Sequence, residues 1–472
     1  MIAEGLLRTP LVELARRALG GGEGFWIVGG AVRDAALGRE VLDLDLAVEG
    51  DPGIAARAIA REGRGHAFEL SAEFATWRAV AADGSWQIDL TALRGETIEA
   101  DLGARDFTIG AIAAPLGSAG LLDPHGGLTD LDRRLLRVVG ERSFSADPLR
   151  LLRAARLAAD LGLEIDPHTA ALARAEAGRA AEPAGERQLL ELRRLVGGPD
   201  PLRGLALLDE LGLMPAVLPE LEALRGVEQG PNHHLDVYGH TLAVLGRTLE
   251  VEADLERFAG ERAAEVEALL AEPLADEMTR GTALRFGALL HDIGKPATRS
   301  EGDGYVTFLG HDRDGAELVG DLCSRLRASR ELTRHLQGLT LHHLRLGFLV
   351  HEAPLPPRRV HEYLRATEPV EVDVTLLTVA DRLSARGSGP FATEEAIEGH
   401  LALAREMLAA ALDWQRHGPP PALLRGDELA REVGLEPGPE LGELLAELEA
   451  AQYAGEISTR AEAVEHARLL RG

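Results

Sequence analysis

The chain is 472 residues long, 45% hydrophobic and 27% charged, with a formal net charge of −27. That length exceeds what one core organises and predicts three or four domains of an ordinary globular, water-soluble composition. No apolar run is long enough for a membrane span and no basic-then-apolar leader opens the chain, while the single cysteine, Cys323, excludes an intrachain disulfide; together these predict a cytoplasmic protein.

In chain order, the first strong signal is FWIVGGAVRDAALG at 25–38. Phe25–Val28 is rich in aromatic and β-branched residues and reads as a strand. Gly29 and Gly30 permit a sharp turn and a close approach. Ala31–Leu37 predicts a helix, with Gly38 suited to its C-terminal cap. A helix opening on two glycines offers backbone N–H groups to an anion, most often phosphate, and Arg33 stands one turn in, where it can add a charged fork. The next stretch, VLDLDLAV at 41–48, alternates leucines and reads as a strand of period two, so Asp43 and Asp45 point to one face. Two adjacent carboxylates repel unless a cation lies between them, and Mg²⁺ takes carboxylate and triphosphate oxygens together. This predicts phosphoryl or nucleotidyl transfer. The alternative is an ordinary strand–helix–strand opening with a half-exposed acidic strand.

Further strands are predicted at WRAVAA (77–82), WQIDL (86–90) and FTIGAIA (107–113), separated by Gly, Asp and Pro. From about residue 145 the pattern is almost wholly helical. Asp147, Arg150, Arg153 and Arg156 recur at three-residue steps and are expected to share one helix face, where carboxylate and guanidinium can match the edge of a nucleobase. Arg133, Arg134, Arg137 and Arg142 crowd the same region, opposed locally by Asp132, Glu141 and Asp147. Such a basic patch inside an acidic chain can hold a polyanion, or it is simply a solvated helix face. GVEQGPNHHLD (226–236) reads as a loop and HGPPPALLRGDEL (417–429) as a linker. Residues 434–468 read as a helix pair joined by a glycine-containing turn.

Taken with ARDFTIGAIA (104–113), LLDPHGGLTDLDRRLLR (121–137), ADPLRLLRAARLAADLG (146–162) and GERQLLELRRLV (185–196), the opening motif resembles the class II tRNA nucleotidyltransferases. These are the CCA-adding enzymes and their bacterial poly(A) polymerase relatives. The resemblance spans nearly the full length. It implies an α+β fold: an N-terminal polymerase-β-like head with a small mixed sheet, then an all-α neck and body. It implies that Gly29, Gly30 and Arg33 hold a triphosphate, that Asp43 and Asp45 bind catalytic Mg²⁺, and that Arg105 and Asp106 contact the nucleotide. Asp147 and Arg150 would select the incoming base from CTP or ATP, and Arg153 and Arg156 would support phosphate or base. Asp89 is a weaker candidate carboxylate, more naturally a structural strand residue. The chain departs from the family pattern at Ala104, Gly110 and Ala146, and it is short between the aspartate pair and Arg105. In this family a shortened loop accompanies enzymes that add only CC to tRNA, so CCA addition, CC addition and poly(A) synthesis all stand as expectations.

A second set, His240, His291–Asp292 in ALLHDIGKPAT and Asp381, resembles the HD phosphohydrolase superfamily. Imidazole with carboxylate suits a divalent transition metal and an activated water. His311 and His342–His343 can add a second metal position, or the set is a metal-free helical scaffold. His233, His234, His351 and His361 read as surface or packing residues. The expected organisation is a nucleotidyltransferase head at 1–140, a helical neck at 141–225, an HD domain at 226–416 and a helical tail at 417–472.

Overall fold

The apolar run Phe25–Val28 forms β1 of a six-stranded mixed sheet in a computed structural model that describes residues 5–41, 43–72, 75–302 and 305–471. Leu42, the first leucine of the alternating run, lies outside the described residues. The remaining strands are β2 (Leu44–Val48), β3 (Gly65–Ser71), β4 (Thr76–Ala81), β5 (Gln87–Ala92) and β6 (Ala113–Pro115), in the order β3-β4-β5-β2-β1-β6. Only β2 and β5 run parallel. β2 lies mid-sheet and is buried at every position except Asp45, so a single open position in an otherwise apolar strand carries the carboxylate.

Helices flank this sheet. α1 (Pro10–Ala18) precedes β1, and α2 (Gly30–Ala36) follows the glycine turn and stops at Gly38, which is left-handed at φ +69°. α3 (Pro52–Glu62) starts on Asp51, whose Oδ1 accepts the N–H of Gly53 at 2.7 Å, and it buries Ala55, Ala56, Ile59 and Ala60. α4 (Ile98–Gly103) starts on Thr97, and α5 (Leu149–Leu161) ends on left-handed Gly162. These elements, with the helix Pro201–Glu210, belong to one compact unit made of the chain up to Pro183 plus Pro199–Val217.

One strand expectation is corrected and one strand went unproposed. FTIGAIA is not one strand: Thr108–Gly110 is a 3₁₀ turn and only Ala113–Pro115 pairs in the sheet. Thr108 Oγ1 is drawn to Asp130 Oδ2 at 2.7 Å, which bends the chain out of the ladder. β3 went unrecognised because it is an edge strand buried only in part; Gly65, Ala67 and Ser71 are half-buried while the large apolar residues Phe68 and Leu70 stand exposed, so no apolar alternation marks it.

The second unit comprises Ala184–Gly198 and the chain from Leu218 onward. Its main helices are α6 (Val237–Ala253), α7 (Arg280–Leu290), α8 (His311–Arg325), α9 (Arg330–His342), α10 (Glu371–Ser384) and α11 (Glu394–His417). Asp236 caps α6 by accepting the N–H of Gly239 at 2.8 Å. α10 is buried nearly all round, as a central helix must be. The helices Gly426–Val433, Pro439–Tyr453 and Arg460–Arg471 close on their own small core of Leu429, Leu441, Leu444, Ile457 and Val464. Among the described residues, no helix is long and apolar enough to cross a membrane.

Candidate functional site

In the first unit, Gly29 leaves β1 at φ +67° and ψ −128°, a conformation open to glycine and costly for other residues. A Cβ there would stand 3.2 Å from Arg105 Nη1 and 3.5 Å from Asp45 Oδ2, so the turn, the arginine and the aspartate converge on one point. Gly30 begins α2, and Arg33, one turn in, lays its guanidinium fork on Asp34 at 2.9 and 3.0 Å. Arg105 is steadied from behind by Asp101, whose Oδ2 accepts its Nε–H at 3.0 Å.

The ladder between the parallel strands β2 and β5 sets Asp45 directly against Asp89, and the antiparallel ladder sets Asp89 against Arg78. Arg78 grips Asp89 through two bonds of 2.7 Å. Asp43 sits just ahead of β2 and is exposed. Solvent reaches Asp45 along the open face, but the protein packed around its carboxylate, together with Asp89 and Asp43, pushes it up to about 6 against the pull of Arg105 and Arg33. Crowded acceptor oxygens of this kind fit a hard divalent cation. Asp89 faces Asp45 in the ladder and has both carboxylate oxygens on Arg78 of the neighbouring strand. Its signal was the apolar–Asp–apolar pattern, which fixes a face but not a neighbour.

A second group forms where α5 meets the turn after α4. Burial opposes ionisation of Asp106, but Arg153, whose Nε–H donates to Oδ2 at 2.9 Å, and the Phe107 N–H at 2.9 Å hold it below the usual carboxylate range. Arg150 donates to the carbonyls of Ala104 (2.7 Å) and Arg105 (3.2 Å) and to Ser143 Oγ (3.0 Å). Asp147 stands outside the helix, ahead of Pro148, and accepts the N–H of Leu149 at 3.2 Å. The expected common face does not hold for all four residues. A three-residue step falls about 60° short of a full turn, so two steps carry Arg156 about 120° away from Arg150. Arg156 is buried and bonds Asp160 at 3.0 Å.

In the second unit, His240 from α6, His291 and Asp292 after α7, His311 from α8, His343 after α9 and Asp381 from α10 meet in the interior. His240 Nε2 is 3.0 Å from Asp381 Oδ1 and 3.7 Å from Asp292 Oδ2. His291 Nε2 is 3.1 Å from Asp292 Oδ2, while His311 and His343 Nε2 lie 3.3 and 3.7 Å from Asp292 Oδ1. Asp292 belongs to the trio Asp292–His311–His343, and its Oδ2 also reaches His240 and His291 of the other trio, His240–His291–Asp381. The Nδ1 atoms of His291, His311 and His343 each face a carbonyl three residues back, at 2.9, 2.7 and 2.6 Å. With Nδ1–H donating there, each Nε2 lone pair turns inward. His240 Nε2 and His291 Nε2 are buried and face only carboxylate oxygens, at 3.0 and 3.1 Å, a donor set that fits a divalent transition metal.

Burial opposes charge on Asp292 and Asp381, yet His291 and Lys295 at the first and His240 at the second hold both carboxylates well below the usual range. Burial, with His291 and His311 nearby, pushes His343 down to about 4 and leaves it a neutral ligand. Sequence reasoning missed Lys295, whose Nζ–H donates to Asp292 Oδ2 and to Gln229 Oε1, both at 2.6 Å. Its signal was the chain's single lysine in HDIGKP. Of the pair His342–His343 only the second joins the cluster; His342 accepts from Arg345 at 2.9 Å. His233 packs edge-on against His240 at 4.5 Å, closer to the cluster than a surface residue. His361 is a packing residue, between Glu449 and Trp414.

Comparison with known proteins matches residues 25–137 to the poly A polymerase head domain, 162–224 to a probable RNA and SrmB-binding site of polymerase A, and 237–386 to the HD domain. An A-adding tRNA nucleotidyltransferase of Deinococcus radiodurans is 38% identical over 93% of this chain and 94% of its own length. A CC-adding tRNA nucleotidyltransferase of Thermus thermophilus is 35% identical over 92% and 91%. The solved Thermotoga maritima CCA-adding enzyme in complex with tRNA has the same fold, with a TM-score of 0.60 at 21% identity, covering 100% of this chain and 98% of that one.

Proposed function

Because the chain belongs to the tRNA nucleotidyltransferase family, we propose that it is a cytoplasmic enzyme transferring CMP or AMP from CTP or ATP to the 3′ end of tRNA. The observation that carries this is the convergence of Gly29, Asp45, Asp89 and Arg105 on one point of the sheet. The 3′-hydroxyl oxygen bonds to the α-phosphorus, the α–β bridging P–O bond breaks, pyrophosphate leaves and the hydroxyl proton passes to solvent. Asp43 and Asp45, with Asp89 beside them, would hold Mg²⁺, which supplies charge neutralisation and lowers the pKa of the attacking hydroxyl. The glycine turn lets the triphosphate approach the backbone, and Arg33 and Arg105 carry the nearest guanidinium groups. Asp106, fixed by Arg153, faces the ribose; Asp147 and Arg150 read the base edge. The proposed functional division is a head at 1–140, a neck at 141–225, an HD domain at 226–416 and a tail at 417–472, although the head and most of the neck form one compact unit and 184–198 belongs to the other.

We propose a partial product, CC or the terminal A, rather than complete CCA. Only residues 93–97 separate β5 from α4, which supports this, as do relatives named for each partial activity. The test is extension of tRNA transcripts ending before CCA, after CC, or complete, with CTP, ATP or both, resolved to single nucleotides. A stop after CC, or addition of A only to the CC end, fits the proposal. Complete CCA shows that the short segment imposes no limit. Long A tails mean a poly(A) polymerase, and no extension sinks the assignment.

A second reading is favoured by the buried cluster of four imidazoles and two carboxylates: the HD centre is a metal-dependent phosphohydrolase. His240, His291, Asp292 and Asp381, with His311 and His343, would hold a divalent transition metal, which supplies an activated water. Lys295 and Gln229 fix the Asp292 carboxylate. The test is metal content by plasma emission together with hydrolysis of glycerol 2-phosphate. Both should fall in Asp292→Asn; an unchanged variant refutes the assignment.

A further inference from the structure

A cavity of about 670 Å³ in the second unit shares no residue with the HD centre. It opens between the helix Ala263–Ala271, the starts of α7 and α10 and the last turn of α11. The carboxylates of Glu265, Glu272, Glu368 and Glu371 line it, against the guanidinium groups of Arg280 and Arg416. Both arginines are already engaged: Arg280 grips Asp373, and Arg416 reaches Glu265. Glu368 accepts Arg365 Nη1–H at 3.0 Å. Glu371 differs. It is 1% exposed, it lines the cavity from below, and its Oε2 is buried without a hydrogen-bond partner. Burial pushes its carboxyl up to about 7, with Asp373 adding to the rise and Gln415 and Arg280 opposing it. The chain therefore keeps a costly ionisable group at the floor of a cavity, where an apolar side chain would cost nothing.

A buried, unmatched carboxylate oxygen calls for a donor, and the acidic rim, where Glu272 and Glu368 stand exposed, calls for that donor to be a cation. A bare metal ion does not fit. Among the described residues, the sets of three or more metal-type ligands that converge are both at the HD centre, so these carboxylates do not gather round one point. Charges spread along a cavity with Ala268, Leu269 and Leu412 in its wall match a cation whose charges are separated by hydrocarbon, as ammonium groups on an aliphatic stem are. The volume is that of a small-molecule pocket. We propose that this cavity binds a short aliphatic polyamine, with one ammonium on Glu371, the stem along Leu269 and Leu412, and a second ammonium at Glu272.

The test is equilibrium dialysis of the full-length chain with radiolabelled putrescine, a four-carbon diamine, in physiological salt near pH 8. One saturable site is expected. Glu371→Gln keeps the shape and removes the charge, and it should weaken binding by about tenfold or more, as loss of one buried charged contact does. Glu272→Gln, at the exposed rim, should weaken it severalfold without touching the core. The diamine keeps both charges between pH 6 and 8, while Glu371 must ionise to pair with it. Wild-type binding should therefore be about tenfold weaker near pH 6 than near pH 8, and the Glu371→Gln chain should lose that dependence. The groups facing Glu371 are Asp373 from α10, Arg280 from α7, Gln415 from α11 and Tyr363 from the helix Pro357–Thr367. Arg280 and Tyr363 are both raised and keep their protons over this range, and His335 from α9, 3.7 Å from Asp373, is held down by burial. Butylamine, with one charge on the same stem, should compete poorly, and Mg²⁺ at equal concentration should not compete. Absence of a saturable site, binding unchanged in both variants, or displacement by Mg²⁺ as effective as by unlabelled putrescine overturns the proposal. Binding lost in Asp292→Asn or Asp45→Ala instead places the diamine at the HD centre or the head and overturns it as well.

Discussion

Asp45 and Asp89 are direct partners in the parallel ladder of β2 and β5, so their side chains rise from the same face of the sheet, with Arg78 gripping the far side of Asp89. Burial raises Asp45, with Asp89 and Asp43 adding to the rise and Arg105 and Arg33 opposing it. Asp45→Ala should abolish extension. Asp89→Asn should leave the fold intact and weaken metal binding by about 10- to 100-fold, the usual cost of disturbing a ligand's support. A titration of extension rate against Mg²⁺ reads this: the midpoint should move up in Asp89→Asn, and an unmoved midpoint assigns Asp89 to the sheet alone.

Gly29 adopts a backbone conformation that other residues reach only with strain, and a Cβ there would crowd Arg105 and Asp45. Gly29→Ala should therefore cost about 1–3 kcal/mol at this turn. The loss should fall on the site rather than the core. Nucleotide KM in the extension assay should rise more than the thermal midpoint falls.

Glu371, at the start of α10, is 1% exposed and its Oε2 has no hydrogen-bond partner. Burial, with Asp373 nearby, pushes it up to about 7 from an ordinary value of 4.5. A carboxyl raised in the folded state favours folding while protonated. Its contribution is complete below about pH 4.5 and is lost as pH rises through 7. Glu371→Gln should match the wild type near pH 4.5 and exceed it by about 2–3 kcal/mol at pH 8. Urea unfolding of the second unit across that range tests it, and parallel curves for the two proteins count against it.

Metal at the HD centre should stabilise the second unit by mass action, because the sites bind only when six side chains from distant elements are assembled. At a hundredfold excess over Kd the gain is about 2.7 kcal/mol. Added Mn²⁺ should raise the wild-type midpoint, EDTA should reverse it, and Asp292→Asn should respond to neither.

Asp106 and Arg153 pair across 2.9 Å with the carboxylate mostly buried and the arginine about one-third exposed. Arg153→Ala removes the main compensation for that burial and should cost about 1–2 kcal/mol after solvent screening. The readout is the midpoint of the first unit's unfolding; Asp106→Asn in the same background should recover much of the loss, since it removes the stranded charge.

By itself the sequence determined the chemistry. The glycine turn with Arg33, the Asp43–Asp45 spacing and the HDIGKP segment are local patterns, written within a few residues, where backbone geometry alone dictates direction. It also placed β1, β2, β4 and β5 and the cap at Gly38. Only the tertiary structure decided which residues become neighbours. Nothing near residue 89 announces residue 45; that meeting depends on strand register. Nothing near His240 announces His343; that depends on how six helical segments pack. Arg156 turned inward because helical twist accumulates along a three-residue repeat, and the edge strand β3 escaped notice because its half-buried positions hold glycine, alanine and serine while its large apolar residues face outward. Short-range order follows from covalent geometry and solvent preference, while the assembly of a site from distant segments follows from packing, which no short window of sequence contains.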